Sequence, residues 1–225
     1  MKSSQVKPWG ALSWPNRISI LRLLLVGPFV VLLLNQRQWG HVARYMGLGI
    51  FLVMAFSDFL DGVLARRLDS KTRLGSILDP LADKTLIIFS VLLLARQESA
   101  VPGAKLPNWV VVAVVAKDLW VIVGFVVVYL VTDRFRVRPT LAGKASTAGQ
   151  LVMVICVLLA PELDRLGYGS LRAGRALLWV TSCGVVGLSV LAIMAYTRLG
   201  LSFIVEGQKP LDGNSGADGE RNESD

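Results

Sequence analysis

The stretch Trp109-Val-Val-Val-Ala-Val-Val-Ala-Lys117-Asp118-Leu-Trp-Val-Ile-Val-Gly-Phe-Val-Val-Val-Tyr-Leu-Val131 decides the class of fold. It is apolar throughout except for one adjacent Lys-Asp pair, and about 20 helical residues suffice to cross roughly 30 Å of hydrocarbon. Working outward from it, comparable apolar runs lie at 18–35, 41–60, 74–95, 147–161 and 174–197. The run at 147–161 is the shortest. Pro161 and Glu162-Leu163-Asp164-Arg165 are expected to stop it soon after Leu159, and its start can lie as early as Ala142. The expectation is an all-α polytopic membrane protein with six transmembrane helices over residues 18–200.

The composition agrees. Of 225 residues, 53% are hydrophobic and 18% charged, and the mean hydropathy is +0.56, too apolar for an ordinary soluble chain. The two cysteines, Cys156 and Cys183, sit inside apolar runs, so no disulfide framework or redox chemistry is expected. Residues 1–17 read as an interfacial segment in which Trp9 and Trp14 precede the first span, either as an amphipathic stretch or as a simple aromatic anchor. No small-x-small site follows the first apolar run, which argues against a cleaved signal peptide. Residues 205–225 carry almost nothing to bury and are expected to form a disordered polar tail.

The net charge of +8 understates the basic bias, because six of the sixteen acids fall in the last twenty residues. Without them the body carries 22 Lys and Arg against 10 acids. Such an excess suits anionic lipid surfaces and phosphate-bearing substrates, although loop basics also fix topology. With the N-terminus inside, fourteen Lys and Arg fall in inner segments and seven in outer loops, while Arg22, Lys84 and Lys117 lie within spans. Both termini are therefore expected on the cytoplasmic side.

Five of the ten acids outside the tail are concentrated between positions 58 and 83: Asp58, Asp61, Asp69, Asp79 and Asp83. Asp58 and Asp61 share a helix face at the end of the second run; Asp79 and Asp83 share one on the third. Two antiparallel helices joined by the polar loop 66–73 can bring these faces together. An unpaired carboxylate at a helix centre costs roughly 2.5–3.5 kcal/mol, and four would cost about 10–14 kcal/mol, so something cationic must offset them. Arg66, Arg73 and Lys84 can do so as a salt-bridge network. The sharper alternative is a divalent site, where all-carboxylate ligands favour Mg²⁺ or Mn²⁺ over zinc or copper. Gly62, Ala65 and Gly75 allow close approach, and Pro80 is expected to kink or open the third helix.

Metal, Arg66 and a basic loop describe a site for a polyphosphate. No His or Cys lies nearby, and the lone His41 is expected in a loop at the opposite face. The chemistry then reads as direct displacement at phosphorus, with one carboxylate taking a proton from the attacking hydroxyl. A cation transporter is the competing class, but residues 100–200 contain no second copy of the acidic segment.

As it stands, Asp58-x2-Asp61-Gly62-x2-Ala65-Arg66-x8-Gly75-x3-Asp79-x3-Asp83 resembles the signature of the CDP-alcohol phosphatidyltransferases at every specified position. The resemblance implies that Asp58, Asp61, Asp79 and Asp83 hold two divalent ions, with Asp83 also the proton acceptor. It implies that Gly62, Arg66, Thr72 and Gly75 form the CDP-lipid site. The implied reaction is attack of an alcohol on the lipid-side phosphorus of CDP-diacylglycerol, with CMP leaving.

Two further stretches bear on the alcohol. Pro15-Asn16-x2-Ser19-x2-Arg22 and Gly143-Lys144-x2-Thr147-x2-Gln150 are similar to motifs of both the glycerol-phosphate-using and the CMP-forming cardiolipin-synthase members. A Walker A reading of Lys144 fails, since no glycine stands five residues before Gly143. Lys144 also has a topogenic reading. Glycerol-phosphate members commonly carry Arg-Glu where this chain has Lys117-Asp118, and Val137-Arg138-Pro139-Thr140 is closer to the cardiolipin type. Lys144, Arg138 and Lys117 are the acceptor-binding candidates, and glycerol 3-phosphate and phosphatidylglycerol are the candidate acceptors. The expected partners are these substrates and membrane lipids, with no nucleic acid, and a homodimer is a candidate assembly.

Overall fold

The computed structural model describes the backbone of residues 14–68, 75–132, 140–166 and 173–207, and side chains within 19–57, 82–130, 140–165 and 173–202, apart from those of 125, 128 and 129. Six helices follow one another: α1 Trp14–Leu34, α2 Gln36–Leu68, α3 Gly75–Ala95, α4 Asn108–Thr132, α5 Leu141–Leu166 and α6 Ala173–Gly207. Every expected apolar run is a helix. Among the described residues, three stretches are long and apolar enough to cross a membrane, Gln36–Ser57, Leu141–Arg165 and Ala173–Ser202, and Ser19–Leu34 is a shorter apolar helix.

The distribution of side chains is that of a membrane protein. Leu24, Phe56, Val112, Leu130 and Val180 stand exposed on the outside, whereas Arg22, Lys117, Asp118 and Gln150 are buried. A water-soluble bundle would not leave so broad an apolar surface uncovered. In lipid the arrangement is reasonable, because polar groups gain by facing one another inside the bundle. The chain is an integral membrane protein built wholly of helices in its described parts.

Two groups of helices make up the bundle. α1 packs against α2 and α3, and α6 against α5 and α4; α3 touches α4 and α5, and α2 touches α5. Phe29 of α1 meets Phe51 of α2 with ring centroids 5.8 Å apart and ring planes tilted by 36°, within the contact range of aromatic pairs. Leu33, Met54, Leu86, Val110 and Met153 continue the same buried cluster across the other helices.

Several boundaries differ from the sequence expectation. α1 begins at Trp14, so residues 14–17 form its first turn, where Pro15 costs no hydrogen bond. α2 breaks at Gly40, whose φ of 59° only glycine adopts cheaply, and then runs on to Leu68. His41 is therefore helical, not in a loop. α3 continues through Pro80 as α-helix. α5 starts at Leu141 and passes through Pro161 to Leu166, because Thr140 caps it, its Oγ1 accepting from the Gly143 N–H at 3.1 Å. α6 extends to Gly207, three residues into the expected tail.

Candidate functional site

The signature straddles the α2–α3 junction. Asp58, Asp61, Gly62 and Arg66 lie on the last turns of α2. Gly75 opens α3, and Asp79 and Asp83 follow at one-turn intervals. The side chains of Asp58, Asp61, Arg66 and Asp79 lie outside the described residues, as do Thr72 and Arg138 altogether. Among the described residues no three His, Cys, Asp or Glu side chains gather as a metal cluster. Asp83 is half-buried on α3.

Around Asp83 the other motifs turn inward. Ser19 and Arg22, from the Pro15-Asn16-x2-Ser19-x2-Arg22 stretch, are buried on α1, which packs against α3. Lys84, next to Asp83, donates to Asp118 Oδ1 on α4 at 2.5 Å. Lys117 Nζ reaches the same oxygen at 3.2 Å and donates to Ser146 Oγ on α5 at 3.3 Å. Ser146 Oγ lies 3.4 Å from Ser189 Oγ on α6, and the Ser189 hydroxyl donates to the Val185 carbonyl. Asp83 is itself within electrostatic range of Lys117.

A single polar chain thus crosses α3, α4, α5 and α6 at the level of Asp83. Two ammonium groups share one carboxylate oxygen, and with Asp83 in electrostatic range of Lys117 the four formal charges balance. Of the acceptor candidates, Lys117 is buried and committed to this chain, whereas Lys144 stands exposed near the start of α5. Gln150, from the same Gly143-Lys144 motif, is completely buried with neither amide atom bonded among the described residues.

Sequence reading named the Lys117-Asp118 pair and offered Lys84 to the signature carboxylates, but it did not join Lys84 to Asp118 and missed Ser146 and Ser189. Their one available signal was polar side chains at inward positions of otherwise apolar helices. At the other end of the bundle a second cluster was also missed. Arg44 of α2 pairs with Glu162 of α5, and the Tyr45 hydroxyl donates to the same Glu162 oxygen at 2.6 Å. Arg44 Nη2 and Arg165 Nη2 approach the two His41 ring nitrogens at 3.3 Å and 3.2 Å. Arg37 donates to the Gln97 carbonyl at 2.7 Å, and Gln36 to that of Ser99. These contacts hold α2, α5 and the α3–α4 connection together far from the signature.

Comparison with known proteins defines the class. The CDP-alcohol phosphatidyltransferase family matches residues 12–187, more than three quarters of the chain. The chain belongs to the CDP-alcohol phosphatidyltransferase family and is an enzyme of that class, which removes the transporter alternative. It is 30% identical over 178 residues to a protein of Pseudomonas fluorescens, covering 73% of this chain and 84% of that one. It is 29% identical over 154 residues to one of Bacillus subtilis, covering 64% and 76%, and 32% identical over 133 residues to one of Aquifex aeolicus, covering 59% and 68%. All three relatives are named CDP-diacylglycerol--glycerol-3-phosphate 3-phosphatidyltransferase.

Proposed function

We propose that this enzyme transfers the phosphatidyl group of CDP-diacylglycerol to glycerol 3-phosphate, forming phosphatidylglycerophosphate and CMP. One observation carries the reading: a family member with an intact Asp58-to-Asp83 signature has relatives named for that acceptor. Lys117, Lys144 and Arg138 are the candidates to hold the acceptor's phosphate.

In this reading Asp58, Asp61, Asp79 and Asp83 are the ligands for two Mg²⁺ or Mn²⁺ ions. The donor set read from the sequence, four carboxylates, suits hard oxygen-seeking ions. Bound divalent ions supply charge neutralisation on the pyrophosphate and its leaving oxygen. Gly62, Arg66, Thr72 and Gly75 bind the CDP-lipid, with small residues admitting it close to the backbone. Asp83 accepts the proton of the glycerol 3-phosphate hydroxyl as its oxygen bonds to the lipid-side phosphorus. The bond from that phosphorus to the CMP oxygen breaks, and CMP leaves with the electron pair. The reading has six spans, with both termini and the signature on the cytoplasmic side, supported by the fourteen-to-seven basic count.

The test presents purified protein in detergent with CDP-diacylglycerol and either glycerol 3-phosphate or phosphatidylglycerol. CMP release with phosphatidylglycerophosphate as product is expected. Turnover with phosphatidylglycerol alone, giving cardiolipin, would replace this acceptor by the one that the Val137-Arg138-Pro139-Thr140 wording favours.

A further inference from the structure

We infer that Asp118 is a positioning residue for the reaction, acting by tethering Lys84 and so fixing the depth and rotation of Asp83. The inference rests on the reading of Asp83 as the proton acceptor. α3 packs chiefly against α1 and only lightly against α4 and α5. Its register against that second half of the bundle therefore depends on few contacts. The Lys84–Asp118 ion pair, at 2.5 Å, is one of them, and it is placed one residue from Asp83.

The surroundings fix Asp118 in turn. Its carboxylate is nearly fully buried, and Oδ1 also takes Lys117, which is anchored to Ser146 and through it to Ser189. Oδ2 is buried with no partner among the described residues. A carboxylate held this way would be costly to keep if it only filled space, since burial without full hydrogen bonding is unfavourable. Its geometry makes it a rigid post on α4, α5 and α6 to which α3 is attached at the reacting level. Misplacement of a catalytic group by about 1 Å costs on the order of 100-fold in rate.

The test is a double-mutant cycle on the full-length protein, reading kcat and the KM for glycerol 3-phosphate by CMP release. Lys84→Met leaves Asp118 paired with Lys117 and removes only the tether; it should lower kcat by roughly 10- to 100-fold with the acceptor KM within about threefold. Asp118→Asn should lower kcat similarly, and the double variant should be no worse than the poorer single variant within about twofold, because both break one interaction. Asp118→Glu and Lys84→Arg keep the pair and should retain kcat within about fivefold, which covers the case in which Asp118→Asn fails to fold. Independent, multiplying losses, or a Lys84→Met effect confined to the acceptor KM, would overturn the tether. Asp83→Asn run alongside separates the two ideas: if it stays active the base reading fails, whatever the cycle gives.

Discussion

Replacing Gly174 by alanine should destabilise the bundle far more than the same change elsewhere on α6. A Cβ at this position would stand 2.2 Å from the carbonyl oxygen of Ala160 on α5, 2.9 Å from its carbonyl carbon and 3.0 Å from its Cα. Optimal heavy-atom contact lies near about 3.5–4.0 Å, so the two helices would have to separate by more than about 1 Å. The obstructing atoms are backbone, so no rotamer change relieves them. Overpacking of this kind costs about 1–3 kcal/mol. Separation would also strain the bond from the Gly174 N–H to Asp164 Oδ1, now 2.7 Å, and a hydrogen bond to a charged group contributes about 1.5–3 kcal/mol. The combined loss is expected at about 2–5 kcal/mol.

Unfolding by SDS in mixed micelles, followed by tryptophan fluorescence, reads this directly. Gly184→Ala and Gly187→Ala are the controls, because a Cβ at either position meets nothing within 4 Å; both should unfold within about 0.5 kcal/mol of the parent. Should Gly174→Ala unfold at the same SDS fraction as these two, the close approach of α5 and α6 at Ala160 would be wrong.

Activity should vanish on exhaustive chelation with EDTA and return with Mg²⁺ or Mn²⁺, and full activity in the chelated enzyme would remove the two-ion reading. Asp83→Asn should reduce single-turnover rate by at least about 100-fold while sparing CDP-lipid binding, whereas Asp61→Asn should weaken metal and CDP-lipid affinity together; near-normal turnover of Asp83→Asn would move the base elsewhere. In a Cys156→Ser, Cys183→Ser background, a cysteine at Ser70 should label from the cytoplasmic side and one at Ser170 from the opposite side, and the reverse pattern would invert the topology. Glu162→Leu strands the buried Arg44 guanidinium and should destabilise by about 3–5 kcal/mol. Arg44→Leu, which leaves Glu162 partly exposed and still accepting from Tyr45, should cost less, and the double variant clearly less than Glu162→Leu; equal losses in all three would show the pair is not coupled.

The sequence displayed the six helices and hid their ends. An apolar run measures how much chain sits in hydrocarbon, while a helix stops where its backbone loses partners or its side chains lose contacts. α2 therefore continues to Leu68, past the expected end at residue 60, and carries the first five fixed residues of the signature. Pro161 was expected to halt α5, yet a proline five residues from the helix end removes one hydrogen bond where the ladder is about to finish. The run Glu162-Leu163-Asp164-Arg165 looked like a solvated stop. Instead Glu162 pairs with Arg44, Asp164 receives the Gly174 N–H, and Arg165 reaches His41, so each charge there has tertiary work that favours prolonging the helix.

The same reasoning explains why the signature was legible while its support was not. Eight fixed residues at set spacing identify themselves in one dimension, because the spacing is set by two helix faces and the turn between them. Lys84, Lys117, Asp118, Ser146 and Ser189 come from four helices, and only the packing of α3 on α4 and of α4 and α5 against α6 makes them neighbours. Within a membrane such residues have a definite physical meaning even before their partners are known. Water cannot satisfy an ammonium or a carboxylate there, so each must find another polar group inside the bundle. A lone charge in an apolar run predicts a partner without saying which. Lys117 and Asp118 satisfy one another as neighbours in sequence, and on that account alone they need nothing further. Lys84 on another helix joins the same carboxylate oxygen, beside the residue assigned to the proton, and this third charge turns a local pair into a tie between the two halves of the bundle.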